Sequence, residues 1–215
     1  MARMPTSNFR IADDADLKIA VSHDLECRGL PSKWKWKYRI TNRISYFQWL
    51  LRKSEYFEST RNESIFHEMR FAIMKLRKNL LGERLGLDIP RNVFGPGLSI
   101  AHSGSIVVNG DARVGSRCRI HQGVSIVASE KGAPLIGNDV FIGPNAVIVG
   151  QISIGDGAYI YPGAVVARDV PAGCGARGVP AKVCDKTDFH SHGAAMKISL
   201  SSTRPVVDLA WKESE

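Results

Sequence analysis

Two spacings of apolar residues divide this chain. Through residue 87 they recur every three to four positions. In RNESIFHEMRFAIMKLRKNLLG, residues 61–82, Ile65, Met69, Ile73, Leu76 and Leu80 fall on one face of an α-helix. Thr60 with Glu63 reads as a capping box at its start and Gly82 as its stop. The stretch NRISYFQWLLRK, residues 42–53, predicts a second helix with Ile44, Phe47, Leu50 and Leu51 on a shared face.

From Phe94 onward the period becomes six. Phe94, Ile100, Val108, Val114, Ile120, Ile126, Ile136, Ile142, Ile148, Ile154, Ile160 and Val166 mark it. Gly follows directly at 115, 137, 143 and 155, and a small or aliphatic residue such as Ala112, Cys118, Val124, Val140, Ala146, Ala158 or Ala164 comes four places on. Such a hexad repeat predicts a parallel β-helix, each hexad a short strand plus a turn and three hexads a coil. On this reading the aliphatic side chains stack inside, Gly supplies positive φ at the corners, and the twelve positions make about four coils. The repeat is interrupted by two residues before Val108 and by four within ASEKGAPL before Ile136. Insertions in a solenoid leave as loops, often on its binding face. Cys118 sits at a small-residue position and reads as a buried side chain.

The organisation expected is a helical, basic segment over 1–87, the β-helix over 88–183, and a polar tail over 184–215. Four cysteines without a CxxC pair give neither a zinc site nor a disulfide framework. No signal-peptide-like stretch opens the sequence and no eighteen apolar residues run together, so a soluble cytoplasmic protein is expected. The formal charge is +8, and residues 28–84 carry fourteen Lys and Arg against five Glu, so the excess is local. Such a segment suits an anionic surface or ligand, or is a solvated helix face. It matches no nucleic-acid recognition motif.

His102 and His121 break the hexads one coil apart and near one edge. An imidazole is a base of suitable pKa for activating a hydroxyl, and a carboxylate on its other nitrogen would orient it. His121 reads as an acceptor-binding or supporting group, or as an ordinary exposed turn histidine. His190 and His192 form an HxH pair in the tail, too few ligands for a metal site.

Residues 88–183 resemble the left-handed β-helix acyltransferases, and within them the serine O-acetyltransferases and their relatives encoded with capsule and exopolysaccharide genes. Asp88-Ile89-Pro90, IAHSGSIVVN, IHQGVSI, IGNDVFIGPNAVIVG and GAVVARDVPAGCGARGVPAKV carry the resemblance. It implies a mainly β fold with a left-handed β-helix and a small helical cap, a homotrimer, and acetyl-CoA as co-substrate in the groove between neighbours, with no metal. It also implies His102 as the catalytic base and Asp88 as its carboxylate partner, the two one residue closer than in the serine enzymes. CoA contacts fall on Gly143, Asn145, Ala146, Gly163 and Ala164, chiefly through backbone, with Arg168 and Lys182 for its phosphates.

The pattern departs from the serine enzymes where they grip the amino acid. Ala101 stands where they carry an aspartate, and Gly132 and Ala133 where they carry an Arg-His pair. A zwitterion needs charged partners at both ends. The reading is therefore an acetyl-CoA-dependent O-acetyltransferase acting on a sugar hydroxyl of a polysaccharide or glycolipid. The alternatives are a serine O-acetyltransferase and a non-catalytic β-helix that binds a partner. KWKWKYRITNRISYFQWLLRK, residues 33–53, interleaves Trp with Lys as a peripheral membrane contact would, or packs its aromatics on the end of the β-helix.

Overall fold

A computed structural model describes residues 9–186. Helices come first: α1 (Asp14–Glu26), α2 (Tyr38–Thr41), α3 (Arg43–Thr60) and α4 (Ile65–Leu85). The strands that follow are two to four residues long. They are β1 (Leu87–Asp88), β2 (Ser99–Ile100), β3 (Ile106–Val108), β4 (Arg113–Val114), β5 (Arg119–Ile120), β6 (Ser125–Val127) and β7 (Leu135–Ile136). They continue with β8 (Phe141–Ile142), β9 (Val147–Val149), β10 (Ser153–Ile154), β11 (Tyr159–Ile160), β12 (Val165–Val166), β13 (Cys174–Arg177) and β14 (Lys182–Asp185).

The strands stack into three sheets, one per side of the coil: β1-β3-β6-β9-β12, β4-β7-β10, and β2-β5-β8-β11-β13-β14. All pairings are parallel except β13 with β14. This is the expected parallel solenoid, consistent with a left-handed β-helix. It is longer than four coils, because β1 and β13 add strands beyond the hexads at either end. The hexad aliphatics form the core as read: Ile100, Ile120, Ile142 and Ile160 stack in register and are fully buried.

The glycines divide between two jobs, only one of them expected. Positive φ falls three places after Phe94, Val114, Ile120, Ile136, Ile142, Ile154, Ile160 and Val170, at Gly97, Arg117, Gly123, Asp139, Asn145, Gly157, Gly163 and Gly173. The glycine directly after the aliphatic is instead required by coil spacing. A Cβ on Gly155 would lie 2.3 Å from the Ala172 nitrogen, and one on Gly137 2.7 Å from that of Asp156. Small residues there let successive turns stack at strand spacing.

The helical cap closes the first coil. The buried face of α3 is the one predicted, with Phe47, Leu50 and Leu51 at 0% exposure. The helix α4 differs. Its N-cap is Ser64, which accepts a hydrogen bond from the His67 amide, and it ends at Gly86 in the left-handed region. Gly82 lies inside it, at a place where a Cβ would meet the Leu87 carbonyl at 2.6 Å. The predicted apolar face points outward: Ile65, Met69, Ile73, Leu76 and Leu80 are 47–68% exposed. Leu81 and Leu85 on another face pack on the solenoid, so α4 is apolar on two sides and a single-stripe reading chose the outer one.

Three cations of the basic segment, Arg28, Arg52 and Lys78, are turned inward. The top coil exposes a row of backbone carbonyls, and unpaired edge groups are costly when buried. Lys78 donates to the Ile89 carbonyl at 2.8 Å, and Arg52 to those of Phe94 and Gly95 at 2.8 and 2.7 Å. Gln48 donates to Leu98 and Arg28 to Ile100. The Asp24 carboxylate accepts from the Gly97 and Leu98 amides at 2.8 Å. Burial acts first to lower the Arg52 pKa, and Asp24 and Glu55 more than offset it, so the guanidinium is charged at all ordinary pH. The aromatics of residues 33–53 pack largely on one another: Trp34 stacks on Trp49 at 5.1 Å and meets Tyr38 edge-on at 5.5 Å. Trp36 and Ile40 stay outside, at 68 and 69% exposure.

Candidate active site

The two insertions emerge at different corners. The first, between β2 and β3, becomes the turn that carries His102; Ile100 pairs with Ile120, twenty residues on, whereas Val108 pairs with Ile126, eighteen on. Gly104 and Ser105 adopt positive φ to make that turn. The second, between β6 and β7, closes on itself as a small hairpin in which Ser129 and Gly132 exchange backbone hydrogen bonds of 2.8 and 3.1 Å. Gly132 and Ala133 are therefore remote from His102 within one chain.

Below His102, along the same corner, come the turns that hold His121, then Gly143 to Ala146, then Gly163 and Ala164. Each joins a strand of the β2-β5-β8-β11 sheet to one of the β3-β6-β9-β12 sheet. Residues widely separated in sequence thus line up on four successive coils. Arg168 lies past β12 at the next corner, and Lys182 is on β14. Both are exposed, and neither forms an ion pair among the described residues.

The His102 ring is exposed, with its centroid 6.1 Å from that of His121. It makes no hydrogen bond among the described residues. Asp88 is exposed on the outer face of β1 and pairs with Val107, just past the His102 turn. No hydrogen bond joins it to His102. The His121 ring lies 5.0 Å from Phe141, which stacks on Tyr159 at 4.4 Å. Burial, then Arg119 and His102, push the His121 pKa down to about 4, so the ring is neutral near pH 7. Its Nε2 and the Oε1 of Gln122 are buried without a hydrogen-bond partner among the described residues.

The backbone amides at the expected CoA positions are engaged in the solenoid. Gly143 donates to Ile160 at 2.8 Å, Asn145 to Gln122 at 3.0 Å, Ala146 to Gly143 at 3.3 Å, Gly163 to Pro144 at 2.9 Å and Ala164 to Tyr161 at 3.2 Å. Ala146 and Ala164 have 0% exposure. Gly143 is buried too, so a ligand at this corner meets the exposed Asn145 and Gly163 rather than free N–H groups. Sequence reading missed Arg28 and Arg119. The Arg119 guanidinium donates to Ser99 Oγ at 3.2 Å, and Arg28 donates to Ser45 Oγ at 3.0 Å. Arg119 follows Cys118 at a position where the hexad rule only says that the side chain points outward.

The family model "Bacterial transferase hexapeptide (six repeats)" matches residues 133–168. Among solved structures, the serine acetyltransferase of Neisseria gonorrhoeae is 28% identical, with 79% of this chain and 66% of that one covered and a TM-score of 0.58. The soybean serine acetyltransferase complexed with serine is 26% identical, with 79% and 70% covered and a TM-score of 0.62. This is a hexapeptide-repeat solenoid of the acyltransferase type, resembling the serine acetyltransferases. A serine acetyltransferase solved with CoA, 22% identical over 79% of this chain and 70% of that one, shares the fold with a TM-score of 0.61. The chain spans 66 to 70% of the length of these relatives. A sequence comparison with curated proteins found no match.

Among the described residues no helix is long and apolar enough to cross a membrane, and no three or more His, Cys, Asp or Glu side chains gather as metal ligands would. His190 and His192 lie outside the described residues. Cys118 is fully buried, donates to the Gly137 carbonyl at 3.1 Å, and has its pKa raised to about 12 by burial, in keeping with a packing role.

Proposed function

We propose that the protein transfers an acetyl group from acetyl-CoA to a hydroxyl, with His102 as the general base. The observation that carries this is an exposed imidazole at the head of one solenoid corner, in a fold resembling the serine acetyltransferases. The imidazole lone pair takes the acceptor's hydroxyl proton as its oxygen bonds to the thioester carbonyl carbon. The tetrahedral intermediate then breaks its C–S bond, and the imidazolium returns the proton to the departing CoA sulfur. Asp88 orients the ring, closing toward it when the substrates bind; hydrogen bonds of this kind are often long in unliganded sites.

The acetyl donor lies along the corner past Gly143, Asn145, Ala146, Gly163 and Ala164, and Arg168 and Lys182 meet its phosphates. A homotrimer supports this arrangement, because only a neighbouring chain brings another corner up to His102. The acceptor is a sugar hydroxyl, the reading supported by Ala101, Gly132 and Ala133 in place of charged groups. The second reading is serine, favoured by the structural relatives, one of which was solved with serine bound. Contact of Trp36 and Ile40 with a membrane that carries a lipid-linked acceptor is a further part of the proposal.

The test is thiol release from acetyl-CoA with L-serine and, separately, with an oligosaccharide panel, for the wild type and His102→Ala. Sugar-dependent release lost in the variant supports the proposal. Release only with serine transfers it to the second reading. No acetyl-CoA binding by calorimetry would sink both in favour of a non-catalytic solenoid.

A further inference from the structure

The corner that holds the two histidines is also where two arginines gather without a carboxylate. Arg119 projects from the outer side of β5, directly beneath Ser99 in the β2–β5 register, and two residues before His121. Arg28 reaches the same place from the end of α1, where its guanidinium donates to the Ile100 carbonyl, two residues before His102. Neither arginine forms an ion pair among the described residues. Their partners are neutral: Ser45, Asn42 and the Ile100 carbonyl for Arg28, and Ser99 for Arg119.

Both side chains are partly buried, and burial lowers the pKa of each, with Arg119 lowering that of Arg28 further. Asp24 raises the Arg28 pKa through space, by less than burial and Arg119 lower it, and is itself bonded to Arg52 and to the Gly97 and Leu98 amides. Among the other buried or half-buried cations described, Lys78 is held by the Ile89 carbonyl and two are ion-paired. Arg52 has Asp24 and Glu55, and Arg91 has Glu58. A pair of partly desolvated guanidiniums with no carboxylate bonded to either is costly unless an anion completes it, and the planar fork of a guanidinium suits carboxylate and phosphate oxygens.

We infer that Arg119, supported by Arg28, binds an anionic group, a carboxylate or a phosphate, on the acceptor beside the hydroxyl presented to His102. The acceptor class is a hydroxylated molecule that carries such a group: an acidic sugar, a sugar phosphate or an amino acid. This rests on the proposed acetyl transfer for its place in the reaction, but the anion site itself does not.

The test has two arms. In the first, inorganic phosphate and acetate are titrated into the full chain without acetyl-CoA, and binding is read by calorimetry for wild type, Arg119→Gln and Arg119→Lys. Binding that is lost in R119Q and partly kept in R119K supports the site. Equal binding in R119Q overturns it, as does a failure of both anions to bind the wild type. The oligomeric state is followed by light scattering in the same samples. A neighbouring chain's carboxylate, not a ligand, occupies the site if R119Q dissociates an oligomer and anion binding does not depend on Arg119, and that overturns the inference.

In the second arm, acetyl transfer is measured on matched acceptors: a neutral sugar, its uronic acid, its phosphate, and L-serine. The expected result is a KM for one charged acceptor about tenfold or more higher in R119Q, as loss of a charge-assisted hydrogen bond gives, with kcat little changed and the neutral sugar unaffected. The acceptor whose KM moves identifies the source of the anion. Anion binding without any acetyl transfer would retain the site and sink the proposed reaction. Transfer that is indifferent to Arg119 on every acceptor would retain the reaction and sink the site's part in it.

Discussion

Arg52 on α3 and Asp24 on α1 meet at 2.8 Å with side chains only 1 and 5% exposed. The same guanidinium bonds Glu55 and two solenoid carbonyls, so one side chain ties two helices to the first coil. Removing one member strands the others. Arg52→Met or Asp24→Asn is expected to destabilise the chain by about 3–5 kcal/mol, as when one half of a buried ion pair is deleted. Urea unfolding followed by circular dichroism measures this; a loss no larger than that for the exposed pair Lys18–Asp14 would show that the network contributes little.

Two glycines two residues apart should respond in opposite ways. A Cβ on Gly155 meets the Ala172 nitrogen at 2.3 Å, whereas Gly157 has open space but a φ of +66°. Gly155→Ala is expected to cost more than the ~1–3 kcal/mol of ordinary overpacking, because backbone must move. Gly157→Asn should be close to neutral, because Asn tolerates the left-handed region and Asn145 already occupies the equivalent place. Thermal denaturation of the two variants side by side gives the ranking.

Acid should find His121. Its pKa falls from 6.5 to about 4 on folding, so the unfolded chain binds more protons between those values. Stability is then level above the window and falls as pH drops through it, since it rises with pH wherever the unfolded state holds the extra proton. His121→Gln should flatten that part of the profile. Urea midpoints across the window, compared for both proteins, check it; parallel profiles would mean that other groups set the acid response.

Thiol chemistry offers a further check. Burial raises Cys118 to about 12 and Cys27 to about 11. Neither should react with an alkylating reagent in the native protein at mildly alkaline pH, because the thiolate is the nucleophile. Both should label after denaturation, with peptide mass spectrometry assigning the sites. Rapid native labelling of Cys118 would mean that the coil opens.

The solenoid was legible because its signal is long and redundant: a wrong residue in one hexad is outvoted by the next. His102 stood out because it falls in an interruption of the repeat. The α4 face was misjudged for the opposite reason. Period alone finds an apolar stripe, and α4 carries two, of which Leu81 and Leu85 face the solenoid. Arg28 and Arg119 were invisible because nothing local links residues so far apart in sequence. Only the stacking of β2 on β5 and the return of α1 over the first coil bring them together. The glycines directly after the aliphatics were misread because sequence shows where glycine is, and not whether a backbone angle or a close neighbour demands it.

The plugged carbonyls of the first coil have a consequence for assembly. A stack of parallel strands is open at both ends, and each end is a template on which another strand can add without limit. Here one end is occupied by side chains from the helical cap, while at the other β14 turns back antiparallel on β13. The cap therefore covers that end against strand addition, and three of the cations that first suggested a binding surface, Arg28, Arg52 and Lys78, are part of the cover.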